Sequence, residues 1–200
     1  MEKTNVFLYG ASGHGKVIKE MIELNGGQAA GFIDYNLELS EYMGLPVAHT
    51  MEGQFPVIVS IGDNKNRKKV AESISGPFGI SIHPSAIVSP TAKIGEGTVV
   101  MPGAIIGPDA VIGKHCIINT GASVDHECTL GNYVHIAPNV ALCGQVSIGD
   151  GTLVGVGSSI ILGIQIGEWC VIGAGAAVTK DIESRVLAVG VPAKVIKSLK

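Results

Sequence analysis

Two short stretches of this 200-residue chain have the composition of reactive sites. The first is Asp125-His126-Glu127, an imidazole between two carboxylates. Histidine is the side chain whose ordinary pKa lies nearest neutral pH, so it can accept a proton there without a large environmental shift. A hydrogen bond from the ring to Glu127 would fix the tautomer and raise the basicity of the other nitrogen. These residue types suit a general base, His126, oriented by Glu127, and they suit an exposed polar corner equally well. The second stretch is Gly10-Ala-Ser-Gly-His-Gly15, directly after the apolar run Asn5–Tyr9. A glycine loop between strand and helix aims backbone N–H groups at an anion such as phosphate. Asp34, nineteen residues beyond Gly15, stands at the spacing at which an acidic residue holds ribose hydroxyls. The glycine order is G-x-x-G-x-G rather than G-x-G-x-x-G, so a mononucleotide-bearing ligand fits better than a dinucleotide. A tight turn without ligand is the competing reading.

The elements that must carry these residues divide near residue 80. In residues 1–80 the strand Asn5–Tyr9 and its loop lead into a helix with Val17, Ile18, Met21 and Ile22 on one side. A second strand, Ala29–Ile33, ends at Asp34, and a third, Pro56–Ile61, ends at Gly62. A helix bearing Lys65, Arg67, Lys68 and Lys69 then leads into a last strand, Gly79–Ile82. The order βαβ…βαβ predicts a small Rossmann-like α/β unit with a parallel sheet, about half of a dinucleotide-binding fold. The Lys65–Lys69 run reads as a solvated helix face in preference to a phosphate clamp.

From Ile82 to Val178, every sixth residue is aliphatic at all seventeen positions, without an insertion. Glycine often follows, and the residue four after is usually small, as at Ala104, Ala110, Cys116, Ala122 and Cys128. This resembles the hexapeptide repeat of the left-handed parallel β-helix, in which three hexapeptides form one triangular coil. Residues 81–178 are therefore expected to form that all-β domain, roughly 25 Å tall at about 4.8 Å per coil. Residues 179–200 are expected to be a C-terminal tail. The left-handed sense comes from the resemblance, since spacing cannot supply it.

Composition narrows the partners. The chain is 46% apolar and 16% charged, with net charge −3. It lacks the basic footprint of a nucleic-acid binder, and no stretch reaches the length of a membrane span. With no signal-like leader, a cytoplasmic protein is expected. Cys116, Cys128, Cys143 and Cys170 show no C-x-x-C spacing and are expected as free thiols without chemistry.

The motif Tyr9-Gly-Ala-Ser-Gly-His-Gly15, the segment Ile61-Gly-Asp-Asn64, the repeat array containing Asp125-His-Glu-Cys128, and Val189-Gly-Val-Pro-Ala-Lys194 together resemble the bacterial nucleotide-sugar N-acetyltransferases. Within that family the group nearest to this chain acetylates a UDP-4-amino-4,6-dideoxy sugar of the bacillosamine pathway. Others act on GDP-perosamine or on sialic acid hydroxyls. The resemblance implies acyl transfer from acetyl-CoA to an amine, at C4 of the sugar, with His126 as base and Glu127 as its partner. It places His135 against acetyl-CoA, the backbone of Gly155, Val156 and Ala174 along the pantetheine arm, and an oxyanion-binding N–H near Gly144. It assigns Ser12, Gly13, His14, Asp34, Tyr35 and Gly62 to the nucleotide sugar. A UDP-linked acceptor is expected, but Tyr35 departs from the second acidic residue of those nearest relatives, which leaves GDP open. A homotrimer with its acetyl-CoA sites between subunits is implied.

Three alternatives stand beside this reading: O-acetylation of sialic acid or another surface sugar, a non-catalytic nucleotide-sensing module, and zinc-dependent hydration. The last needs a close histidine pair that His83, His115, His126 and His135 do not supply, so no metal is expected.

Overall fold

The computed structural model describes residues 5–50 and 55–200. Its N-terminal unit contains β1 (Asn5–Tyr9), α1 (Gly13–Leu24), β2 (Gln28–Ile33), β3 (Glu41–Tyr42), β4 (Leu45–Ala48), β5 (Val57–Val59) and α2 (Asn64–Ser73). The sheet runs β3-β4-β2-β1-β5 and is parallel apart from the β3–β4 hairpin. Ser12 caps α1 by accepting the Gly15 N–H at 3.3 Å, and Asp63 caps α2 by accepting the Asn66 N–H at 2.8 Å. Gly15 has to be glycine, because a Cβ there would lie 2.7 Å from the Gly10 carbonyl oxygen and 3.0 Å from the Phe32 ring. That close approach seats the first turn of α1 on the end of β1.

From β6 (Ser81–Ile82) to β22 (Ala177–Val178), seventeen two-residue strands wind into a left-handed parallel β-helix with three sheets. Each strand pairs with the one eighteen residues later, as in Ile105↔Ser123 and His135↔Leu153, so three hexapeptides close a coil. The second residue of each strand points inward. Val100, Ile106, Ile118, Val124 and Ile136 are almost wholly buried, with Ala104, Ala110, Cys116, Ala122 and Cys128 filling the space between them. Burial pushes the Cys116 thiol up to about 12, consistent with a packing role.

The first face carries β6, Val99–Val100, Ile117–Ile118, His135–Ile136, Leu153–Val154 and Val171–Ile172. It turns at a first corner through Asn119, Ala137, Gly155 and Gly173. The second face, with Ser123–Val124 and Ala141–Leu142, ends at a second corner containing His126 and Gly144. The third face leads to a third corner containing His115, Tyr133, Gly151 and Trp169.

The N-terminal unit docks on the first face. Val99, Met101 and Ile117 share a core with Val6, Leu8, Ile18 and Met21, and Asn25 Nδ2 donates to the Ile82 carbonyl at 2.7 Å. Arg67, expected on a solvated helix face, is instead 1% exposed and joins the two units. Its guanidinium donates to the carbonyls of Ile61 and Gly62, to Asn64 Oδ1, and across the seam to the carbonyls of His115 and Tyr133, at 2.7–3.0 Å. The five donors of one planar fork meet five acceptors, which lysine could not do from a point charge.

Three further elements differ from the sequence reading. Gly79–Ile82 does not complete the N-terminal sheet: Phe78 makes one bridge to Val57, while Ser81–Ile82 pairs with Val99–Val100 as the first rung of the prism. The β3–β4 hairpin was not expected, and it extends the sheet beyond β2. Residues 179–200, expected as a C-terminal tail, add two strands to the prism: β23 (Val186–Val189) continues the first face and β24 (Lys194–Ser198) pairs with it antiparallel.

Candidate active site

At the second corner, His126 Nδ1 lies 3.0 Å from Glu127 Oε2. A carboxylate only accepts, so Nδ1 carries a proton, and Nε2 is the nitrogen left facing outward. Glu127 is fixed in turn by Gln145, whose Nε2 donates to the same oxygen at 3.1 Å from one coil further on. Hydrogen bonds from His126 and then Gln145 hold the Glu127 carboxyl below its ordinary range, so it is ionised at neutral pH. The His126 and Glu127 side chains are 47% and 54% exposed, and both face outward.

Gly144 stands one coil above His126, and a Cβ on it would lie 2.5 Å from ring atoms Cε1 and Nε2. The missing side chain is therefore what lets the imidazole lie flat on the corner. Among the described residues the Gly144 N–H donates to no acceptor, leaving one polar hydrogen beside the imidazole.

The first corner collects other expected residues. A Cβ on Gly155 would lie 2.7 Å from the Ala174 nitrogen, so the two coils stack there backbone on backbone, and Val156 projects into solvent beside them. His135 sits on the adjoining first face, with Asn119 Nδ2 donating to its Nε2 at 3.1 Å. The ring also faces the Gly62 backbone, His14 and Arg67. His135 thus stands between the first corner and the glycine loops of the N-terminal unit.

Of the expected nucleotide residues, Ser12 and Asp34 are already engaged. The Ser12 hydroxyl donates to the Ser60 carbonyl while capping α1. Asp34 accepts the Ala11 N–H through Oδ2 at 2.8 Å and the Asn36 N–H through Oδ1 at 2.9 Å, tying the loop after β2 to the glycine loop after β1. Gly13 opens α1, and Gly62 is exposed with its carbonyl on Arg67. Tyr35 is exposed and meets Tyr9 edge to face at 5.7 Å. His14 has its Nε2 buried without a partner. Gln145 and Asn119 were missed in the sequence, although adding one coil of eighteen to Glu127 lands on Gln145.

His126 lies across the second face from the first corner, so one chain does not bring it to Gly155 or His135. Among the described residues no group of three or more His, Cys, Asp or Glu is placed to hold a metal ion, and no helix is long and apolar enough to cross a membrane.

Burial lowers three histidines, His14, His115 and His135, to about 4. Arg67 adds to the lowering in each case. The native chain keeps these rings neutral while the unfolded chain protonates them near pH 6.5, so the unfolded state binds more protons between these values. Stability should be complete above pH 6.5 and fall as pH drops toward 4, at up to about 1.4 kcal/mol per pH unit for each histidine. Denaturant titrations at pH 7, 6 and 5 check this, and a flat profile would contradict it.

Comparison with known proteins adds an independent line. The PglD N-terminal domain family matches residues 5–74. The bacterial transferase hexapeptide family matches residues 91–126 and 109–144, and the hexapeptide repeat of succinyl-transferase matches residues 145–180. UDP-N-acetylbacillosamine N-acetyltransferase from Bacillus subtilis is 44% identical over 110 residues, covering 48% of this chain and 51% of that protein. The match thus spans about half the length of this curated relative. A His-to-Asn variant of perosamine N-acetyltransferase from Caulobacter crescentus, solved with CoA and GDP-perosamine, is 38% identical over 97% of both chains with a TM-score of 0.93. The acetyltransferase domain of PglB from Neisseria gonorrhoeae, solved with acetyl coenzyme A, is 32% identical over 97% of this chain and 100% of that one, with a TM-score of 0.89. Identity on this scale, sustained through both the glycine-loop unit and the prism, makes the chain a member of the hexapeptide-repeat sugar N-acetyltransferase family.

Proposed function

We propose that the protein transfers the acetyl group of acetyl-CoA to the C4 amine of a UDP-linked amino-dideoxy sugar, with His126 as general base. The observation that carries this is the His126–Glu127–Gln145 chain of hydrogen bonds, which orients the ring with Nδ1–H on the carboxylate and Nε2 free on an exposed corner. The neutral amine attacks the thioester carbonyl carbon, forming the C–N bond, and Nε2 accepts the proton that the nitrogen sheds. The thiolate of CoA then leaves as the tetrahedral intermediate collapses. The free Gly144 N–H is suited to the developing oxyanion. The B. subtilis relative, named for a UDP-linked substrate, supports the nucleotide.

The nucleotide sugar is assigned to the glycine loops, around Gly13, His14, Asp34, Tyr35 and Gly62. Acetyl-CoA is assigned to the first corner, along Gly155, Val156 and Ala174, where the close backbone stacking leaves peptide groups accessible to a pantetheine arm. His135 lies between them.

Because the base stands at the other corner, a second copy must complete the site. The second face supports this: its outward residues are Ile87, Ile105, Ser123, Ala141, Ser159 and Ala177, with Ile87 66% exposed and Ile105 44%. Val156 at one edge and Ile161 and Leu162 at the other are exposed as well. We assign a homotrimer whose neighbouring prisms bring the first corner of one chain to the second corner of the next.

The test is thiol release from acetyl-CoA with a UDP-4-amino-4,6-dideoxy sugar, GDP-perosamine and free sialic acid offered separately. The expected result is rapid release with the UDP-linked amine and at least tenfold slower release with the others. Preference for GDP-perosamine would move the base specificity, and release only with sialic acid would overturn N-acetylation.

A further inference from the structure

The third corner carries a column of residues, one per coil: His115, Tyr133, Gly151, Trp169 and Arg185. Its lower part is closed. His115 stacks on Tyr133 at 5.3 Å between ring centres, Phe78 meets His115 edge-on at 4.4 Å, and Lys68 Nζ lies 5.6 Å over the Tyr133 ring. The upper part opens into a cleft of about 660 Å³ between α2, the first face and the C-terminal strands. This volume falls within the usual range of small-molecule sites, about 300–1,000 Å³.

The lining of the cleft is chemically sorted. Leu153 and Val171 form an apolar floor. Trp169 forms a wall, its ring held against the backbone because a Cβ on Gly151 would lie 2.5 Å from it. Lys65, Lys68, Lys69 and Arg185 form the rim. Lys68 is paired with Glu72 and Lys65 Nζ reaches the Lys200 carbonyl, whereas Lys69 and Arg185 make no ion pair among the described residues. Asp63, the other acidic side chain of the lining, is engaged in capping α2. The basic run of α2 therefore borders a concave surface on which positive charge exceeds negative.

An apolar floor, one flat aromatic wall and unpaired cations at the rim suit a molecule with a planar ring and a phosphate tail. We infer that this cleft is a second nucleotide site, taking a nucleoside diphosphate with its base against Trp169 and its phosphates between Lys69 and Arg185. The lining of the cleft shares Gly62 with the glycine-loop site but includes neither Asp34 nor Tyr35 nor any residue of the His126 corner.

Trp169 is the single tryptophan of the chain, so its fluorescence reports this cleft directly. The experiment titrates the full-length protein at low salt with ADP, with UDP and with inorganic pyrophosphate, correcting for absorbance by the bases. The expected result is a saturable change in Trp169 emission with a midpoint below about 1 mM for at least one nucleoside diphosphate, and a midpoint at least tenfold higher for pyrophosphate. The midpoint should rise at least tenfold in the K69E/R185E double variant and stay unchanged in Asp34→Asn, which alters the glycine-loop site instead. ADP and UDP midpoints show which base the wall prefers. Flat emission with all three probes, a response that persists in the double variant, or one lost in Asp34→Asn would overturn the proposal. Equal midpoints for pyrophosphate and the nucleotides would remove the ring contact and overturn a nucleotide site.

Discussion

Replacing His126 with alanine should lower acetyl-transfer turnover by about 10²–10⁴-fold, the scale on which a general base contributes. The chain should still fold and bind CoA, because the ring contributes nothing to the core. It is half exposed, and its packing partner is the bare backbone of Gly144. The loss should appear in kcat rather than in KM, since the proton is taken up only as the C–N bond forms. Glu127→Gln should cost less: the amide can still accept from Nδ1, but it no longer stabilises the imidazolium. Raising the pH should not restore His126→Ala to the wild-type rate, because no other imidazole occupies that corner. Steady-state kinetics on both variants, with circular dichroism to confirm folding, tests the assignment. Turnover within threefold of wild type in His126→Ala would remove the residue from the mechanism.

The parts of this site that were legible in the sequence are those fixed by a repeating local constraint. An inward aliphatic residue every six positions leaves the prism one register, and that register alone places Asp125-His126-Glu127 at a corner. The same arithmetic makes Gln145 a neighbour of Glu127, although one glutamine among many surface polar residues carries no mark of its own. The hairpin Glu41–Ala48 was hidden for a different reason: β3 has two residues and β4 contains Pro46, too little for an alternating pattern to register. Gly79–Ile82 was assigned to the wrong sheet because a short apolar run specifies a strand but not its partner. Only the pairing of Ser81–Ile82 with Val99–Val100, one coil on, decides it. The docking of the two units was not legible at all. Nothing local distinguishes Arg67 from Lys65, Lys68 and Lys69, and the seam that buries it is closed by carbonyls contributed by residues 48 and 66 positions away.

That dependence makes Arg67 the residue whose loss should be felt most by the fold. Arg67→Ala leaves the carbonyls of Ile61, Gly62, His115 and Tyr133, together with Asn64 Oδ1, without their donor in a site the guanidinium fills. One buried unpaired acceptor costs about 1–3 kcal/mol, and water entering the vacated volume recovers part of the sum. An expected destabilisation of about 3–5 kcal/mol follows, close to the whole margin of many domains of this size. Burial already draws the guanidinium down to about 10, so at neutral pH it remains charged and its five bonds are charge-assisted. Arg67→Lys should recover only part of the loss, since an ammonium group has three donors and cannot span both sides of the seam. The effect should also reach the chemistry unevenly. With the Gly62 carbonyl released, the loop after β5 loses its anchor against His135, so the surviving folded enzyme should show a raised KM for the nucleotide sugar. Its kcat should remain near wild type, because the His126 corner lies on another edge of the prism. Denaturant unfolding of both variants, followed by kinetics below the unfolding transition, separates these effects. A loss under about 1 kcal/mol in Arg67→Ala would mean that water replaces the guanidinium at the seam, and that the apolar contacts of Val99, Met101 and Ile117 hold the two units together by themselves.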